Sequence, residues 1–130
     1  MMSLTETRSA SPVFNPIALI LRLEGLAVVI AALLCFGYLG GSWMLFALLI
    51  LSPDLMMLGY LRGPRLGALL YNLGHSYFGP SVLGGAAFII GNVIIWQLAL
   101  IWVAHIGLDR ALGFGLKYGS GFKETHLGRV

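Results

Sequence analysis

Six side chains in this sequence combine acid–base or metal-binding chemistry with suggestive spacing: Glu24, Asp54, Asn72, His75, His105 and Asp109. Tyr71 and His75 are four residues apart, Asn72 and His75 three, and His105 and Asp109 four, so on a helix each pair shares a face. Carboxylates and imidazoles arriving from separate segments are ligands that zinc, iron and manganese accept. The expected ligands of a divalent metal are Glu24, Asp54, His75 and His105. Asp109 is expected behind His105, orienting its ring. Tyr71 or Asn72 is expected to hydrogen-bond a substrate or a bound water. Di-metal carboxylate bundles use a related pattern, a Glu-x-x-His pair on each of two helices. The matching positions here, Asn72-x-x-His75 and His105-x-x-x-Asp109, depart from it. A haem between His75 and His105 is the weaker metal reading, because it needs room for a macrocycle between helices.

The elements that must position these groups follow from composition. Of 130 residues, 58% are hydrophobic and only 10% charged, whereas soluble domains carry about 25% charged residues. Mean hydropathy is +0.90. These values exclude a disordered segment, a nucleic-acid module and a small disulfide-bonded secreted domain, and imply one integral membrane domain. Cys35 is the sole cysteine, so no internal disulfide forms. With so few charges, the basic pI of 9.4 points to orientation in a bilayer rather than to nucleic acid.

A bilayer core of about 30 Å needs about 20 apolar residues per helix. Four stretches qualify: Pro16–Leu39, Ser42–Leu61, Leu66–Ile90 and Val93–Leu112. The expected fold is therefore all-α, a four-helix transmembrane bundle over residues 15–112, with a mobile arm at 1–14 and a cytoplasmic tail at 113–130. Asn15-Pro16 starts the first helix and Gly40-Gly41 stops it. Arg62-Gly63-Pro64-Arg65 is a tight turn, and Gly91-Asn92 makes the next one. Gly79-Pro80 predicts a bend within the third span. Arg22 and Glu24 interrupt the first span, which argues against a cleavable signal peptide. No strand alternation suggests a barrel.

Lys and Arg occur at 8, 22, 62, 65, 110, 117, 123 and 129, and the turns around Gly40 and Gly91 carry no charge. By the positive-inside rule both termini and the Arg62–Arg65 turn face the cytoplasm, with Trp43 and Trp96 near the opposite interface. At about 1.5 Å per residue, Glu24, Asp54, Asn72, His75 and His105 all lie roughly 10–15 Å in from the cytoplasmic side, and Asp109 one turn nearer to it. A charge in hydrocarbon costs roughly 2.5–3.5 kcal/mol even on lenient scales, so these groups are expected to turn toward each other. Arg22 and Arg110, near helix ends, can snorkel or pair with the acids.

Other features weigh less. Gly59-x-x-x-Gly63 has the spacing for close helix approach, whereas Pro64 interrupts Gly63-x-x-x-Gly67, which serves the turn instead. Neither specifies a dimer, although oligomerisation stays open. Met44, Met56 and Met57 read as packing or lipid contact. The lysines of the Gly-rich tail suit anionic headgroups, and His126 stays open. No Gly-x-Ser-x-Gly elbow, phosphate loop or His-Glu-x-x-His motif occurs.

Leu21-Arg-Leu-Glu-Gly25, Ser52-Pro-Asp-Leu55, Gly59-Tyr-Leu-x-Gly-Pro64, Tyr71-Asn-x-x-His75, His105-x-x-x-Asp-Arg110 and Gly113-x-Gly-Leu-Lys117 with Thr125-His-Leu-Gly128 form an ordered set of motifs. In these the chain resembles the small bacterial membrane proteins grouped as domain-of-unknown-function family 4260, from Leu21 to Arg129. The resemblance implies a compact multi-helix membrane protein and brings no assigned reaction. The expectation is thus a multi-pass protein of the bacterial cytoplasmic membrane whose partner is the lipid bilayer. The leading reading is a metal-dependent enzyme acting on a lipid-like or quinone-like substrate. The alternatives are a proton- or ion-coupled carrier or channel relaying charge through Glu24, Asp54 and Asp109, and an accessory subunit in which the same groups only fix helix register.

Overall fold

The computed structural model describes residues 14–115. The expected N-terminal arm up to residue 13 and the tail beyond residue 115, with Lys117, Lys123 and His126, lie outside the described residues. Among those described there is no strand. The order is α1 (Pro16–Tyr38), α2 (Trp43–Leu49), a 3-10 helix (Ser52–Arg62), α3 (Pro64–Gly74), α4 (Phe78–Ile90) and α5 (Val93–Leu112). Three segments are long and apolar enough to cross a membrane: Pro16–Tyr38, Trp43–Arg62 and Val93–Leu112. Their Leu and Ile side chains are widely exposed, including Leu34 at 70% and Leu61 at 86%. Exposure of this extent fits lipid and not water.

Two prolines decide where the expected second and third spans change character. Pro53 has no N–H to give to the carbonyl of Leu49, and α2 ends at Leu49. The chain continues as a 3-10 helix of 11 residues, although such runs seldom exceed 3–4 residues. The Asp54 N–H bonds to the Leu51 carbonyl at 3.0 Å. That leaves the Ile50 carbonyl, which an α-helix would have used for Asp54, without a backbone donor. The third stretch does not merely bend at Gly79-Pro80. It breaks at His75–Tyr77 into α3 of 11 residues and α4 of 13, because Pro80 cannot donate to Ser76 and its ring crowds that carbonyl. Placed in the first turn of α4, Pro80 costs no intrahelical bond.

Asn15 and Asn92 cap α1 and α5, each accepting from two backbone N–H groups. Gly91 closes α4 in the left-handed region at φ 73°, and Gly63 turns the chain between the 3-10 helix and α3 at φ 138°. Phe36, Trp43 and Phe46 meet with ring centroids 5.0–5.5 Å apart and hold α2 against the end of α1.

Packing divides the chain into two groups. In the first, α5 runs between α1 and α4; 44% of its most apolar stretch is buried, against 11% in each of the other two long segments. Gly25 and Gly107 let α1 and α5 cross backbone to backbone, since a Cβ on Gly25 would sit 2.8 Å from the Gly107 carbonyl oxygen. The second group is the 3-10 helix with α3. There a Cβ on Gly59 would lie 3.3 Å from Cα of Gly67, and the Tyr60 ring covers Gly67. The outer glycines of the two overlapping small-residue motifs therefore face each other across the Gly63 turn. The candidate site lies on the seam between the two groups.

Candidate metal centre

Each group contributes to the seam. Asp54 comes from the first turn of the 3-10 helix, His75 from the C-cap of α3, and His105 and Asp109 from successive turns of α5. His75 is fully buried, His105 is 2% exposed, and Asp54 and Asp109 are half-buried. Each of the four offers one ligand atom, and all four atoms lie within 4.8 Å of one another. Nε2 of His75 is 2.9 Å from Oδ1 of Asp54 and 3.3 Å from Oδ2 of Asp109. Nε2 of His105 is 3.2 and 3.4 Å from the same two oxygens. The two Nε2 atoms are 3.0 Å apart.

The orientation of each ring is set from behind. Nδ1 of His75 donates to the Tyr71 carbonyl at 2.9 Å. Nδ1 of His105 donates to the Ile50 carbonyl at 2.5 Å, the acceptor that the 3-10 turn at Pro53 released. A carbonyl oxygen only accepts, so both Nδ1 atoms carry a proton. In the neutral rings both Nε2 atoms are then bare lone pairs, aimed at each other and at two carboxylate oxygens. One added proton gives one donor facing three acceptors. A cation satisfies all four together. Metal bonds of about 2.0–2.2 Å place neighbouring donors roughly 2.8–3.6 Å apart in tetrahedral or octahedral arrangements; the five separations that involve an imidazole nitrogen, 2.9–3.4 Å, fall in that range, and the two carboxylate oxygens lie within 4.8 Å of each other. Two carboxylates also supply the charge that neutralises a divalent ion.

Further side chains fix the break between α3 and α4 that sets His75 at the seam. Trp102 Nε1 donates to the Gly74 carbonyl at 2.6 Å, and Arg110 Nη2 donates to the His75 carbonyl at 2.8 Å. Backbone carbonyls freed by a helix break and buried need such partners. The Tyr71 ring lies flat on the His75 imidazole, with centroids 3.8 Å apart and planes 9° apart. Asn72 is half-buried on the same helix.

Of the residues expected at the site, Asp54, His75 and His105 converge. Asp109 stands in front of the His105 Nε2 rather than behind the ring, as a fourth ligand atom, and the Ile50 carbonyl takes the orienting place. Glu24 lies elsewhere. It is exposed on α1 and lines a separate cleft of ≈180 Å³ with Leu21, Gly25, Val28, Tyr77 and Arg110. Both arginines are committed to backbone: Arg22 Nε to the Ala111 carbonyl at 3.0 Å, and Arg110 to His75 and, at 2.9 Å, Phe114. Sequence reasoning missed the Ile50 carbonyl and Trp102. Pro53, inside an otherwise continuous apolar run, was the signal for the first; nothing in the sequence marked Trp102 apart from other interfacial aromatics.

No curated protein and no solved structure matches the chain. A family model described as Domain of unknown function (DUF4260) matches residues 18–130, a range that includes Glu24, Asp54, Tyr71, Asn72, His75, His105 and Asp109, and the chain belongs to that family.

Proposed function

We propose that this is a small integral membrane protein that binds a divalent metal ion through Asp54, His75, His105 and Asp109, and that it acts as a metal-dependent enzyme on a lipid-like or quinone-like substrate. One observation carries the metal: both Nδ1 atoms are held by backbone carbonyls, which leaves two bare Nε2 atoms and two carboxylate oxygens facing one point. Zinc, iron and manganese suit this nitrogen–oxygen set. A bound ion would polarise an oxygen or activate a water. The protein would hold the ion and exclude bulk water, with the Tyr71 ring fixing His75 from one side.

The substrate class rests on what borders the centre. A cleft of ≈250 Å³ lies between α2, the 3-10 helix, α4 and α5, walled by Leu49, Pro53, Met56, Leu83, Ile101 and Trp102 among others. Pro53 adjoins Asp54, and Trp102 precedes His105 by one turn. An apolar molecule entering sideways from the bilayer reaches the metal ligands along such a wall. In this reading α3 and α4 together make the fourth crossing of a transmembrane bundle, and both termini face the cytoplasm.

The test is elemental analysis of detergent-purified protein. Wild type is expected to hold about one metal equivalent, and His75→Ala less than about a tenth of one. A metal-free wild type would leave the four groups as a proton-sharing network, as in a carrier or a structural subunit, and would end the enzyme reading.

A further inference from the structure

The cleft that holds Glu24 is separate from the metal ligands and has a charge pattern of its own. Its walls come from α1 (Leu21, Glu24, Gly25, Val28), the residue before α4 (Tyr77) and the last turn of α5 (Arg110). Glu24 stands eight residues inside α1, about 12 Å along the helix from its start at Pro16. Glu24 and Arg110 line the same cleft without forming an ion pair, and Tyr77 lies within electrostatic reach of both. Arg110 spends Nη1 and Nη2 on the Phe114 and His75 carbonyls. A guanidinium has five N–H donors, so three are left for a ligand. An ionisable side chain kept at this depth marks a binding or transport role by default.

We infer that this cleft binds the zwitterionic head of an amphiphile, with its ammonium on Glu24 and its anionic group on Arg110. Opposite charges lining one cleft complement a head whose own charges are opposite and adjacent. A purely anionic head satisfies Arg110 but meets Glu24 with a like charge; a purely cationic head has the reverse fault. The apolar flank of Leu21 and Val28 on α1 lets the chains of the amphiphile remain in the bilayer. The inference rests on the bilayer reading alone. It holds whether or not metal binds, and metal content is measured separately.

The experiment is native mass spectrometry of the detergent-purified full chain titrated with phosphatidylethanolamine and phosphatidylglycerol of identical acyl chains, and with soluble phosphoethanolamine. Wild type is expected to bind phosphatidylethanolamine at least tenfold more tightly than either of the others. Glu24→Gln should remove that preference while keeping the metal content of wild type. Equal affinity of wild type for the two lipids, or an undiminished preference in Glu24→Gln, would overturn the inference. Equally tight binding of phosphoethanolamine would overturn the assignment to an amphiphile. Loss of metal in Glu24→Gln would place Glu24 in the metal centre and overturn the inference as well.

Discussion

Each histidine of the centre keeps a proton on Nδ1 because a backbone carbonyl stands behind it, and that leaves Nε2 to act as a ligand. The two aspartates then decide the charge. Replacing Asp109 with Asn keeps the shape but removes one anionic oxygen from the four facing atoms. Asp109→Asn is expected to weaken metal binding at least ~10-fold, measured by competition with a chromophoric chelator. Glu24→Gln, assayed beside it, should match wild type. The two carboxylates could not be ranked from spacing, because depth arithmetic places both on the cytoplasmic side without saying which way either helix is rotated. His105 and Asp109 were legible as a pair because four residues on one helix fix their relative direction.

Among the elements, the 3-10 helix does the most to build the site. It starts at Ser52 because Pro53 cannot extend α2, and the shift to i+3 bonding releases the Ile50 carbonyl to His105. Pro53→Ala restores an N–H and permits α-helical bonding through this turn, so that Asp54 competes with His105 for Ile50. The expected result is a metal affinity lowered about 10-fold, as for loss of an orienting partner, together with a more α-helical spectrum in circular dichroism. The chain breaks between α3 and α4 for a similar reason, and Trp102 and Arg110 then satisfy the carbonyls of Gly74 and His75. The turns at Gly63 and Gly91-Asn92 and the helix start at Asn15-Pro16 were legible in the sequence, since each depends on a residue type acting within one turn.

For the whole molecule, the proposed centre would work as a clasp. One packed group is α1, α4 and α5; the other is the 3-10 helix with α3; and ligand atoms come from both. A metal that binds only the closed seam stabilises it by mass action, by about 4 kcal/mol when free metal exceeds its dissociation constant 1,000-fold. Chelation is therefore expected to lower the thermal midpoint and to speed hydrogen exchange in residues 52–74, while the α1–α5 crossing at Gly25 and Gly107 stays protected. Exchange mass spectrometry with and without chelator checks this. Uniform acceleration across both groups would show that the metal does not act at the seam.

The sequence by itself determined that the chain is helical and suited to a membrane, where α1 and α5 begin and end, and which residue types could bind a metal. Hydrophobic runs, caps and turn residues act over a few neighbours, and a linear reading captures them. Only the tertiary structure decided that Asp109 and not Glu24 joins Asp54, His75 and His105, and that backbone carbonyls hold both rings. Those outcomes depend on the rotation of each helix about its axis and on which helices pack as neighbours. Contacts between residues as much as 89 positions apart, such as Arg22 with Ala111, set both.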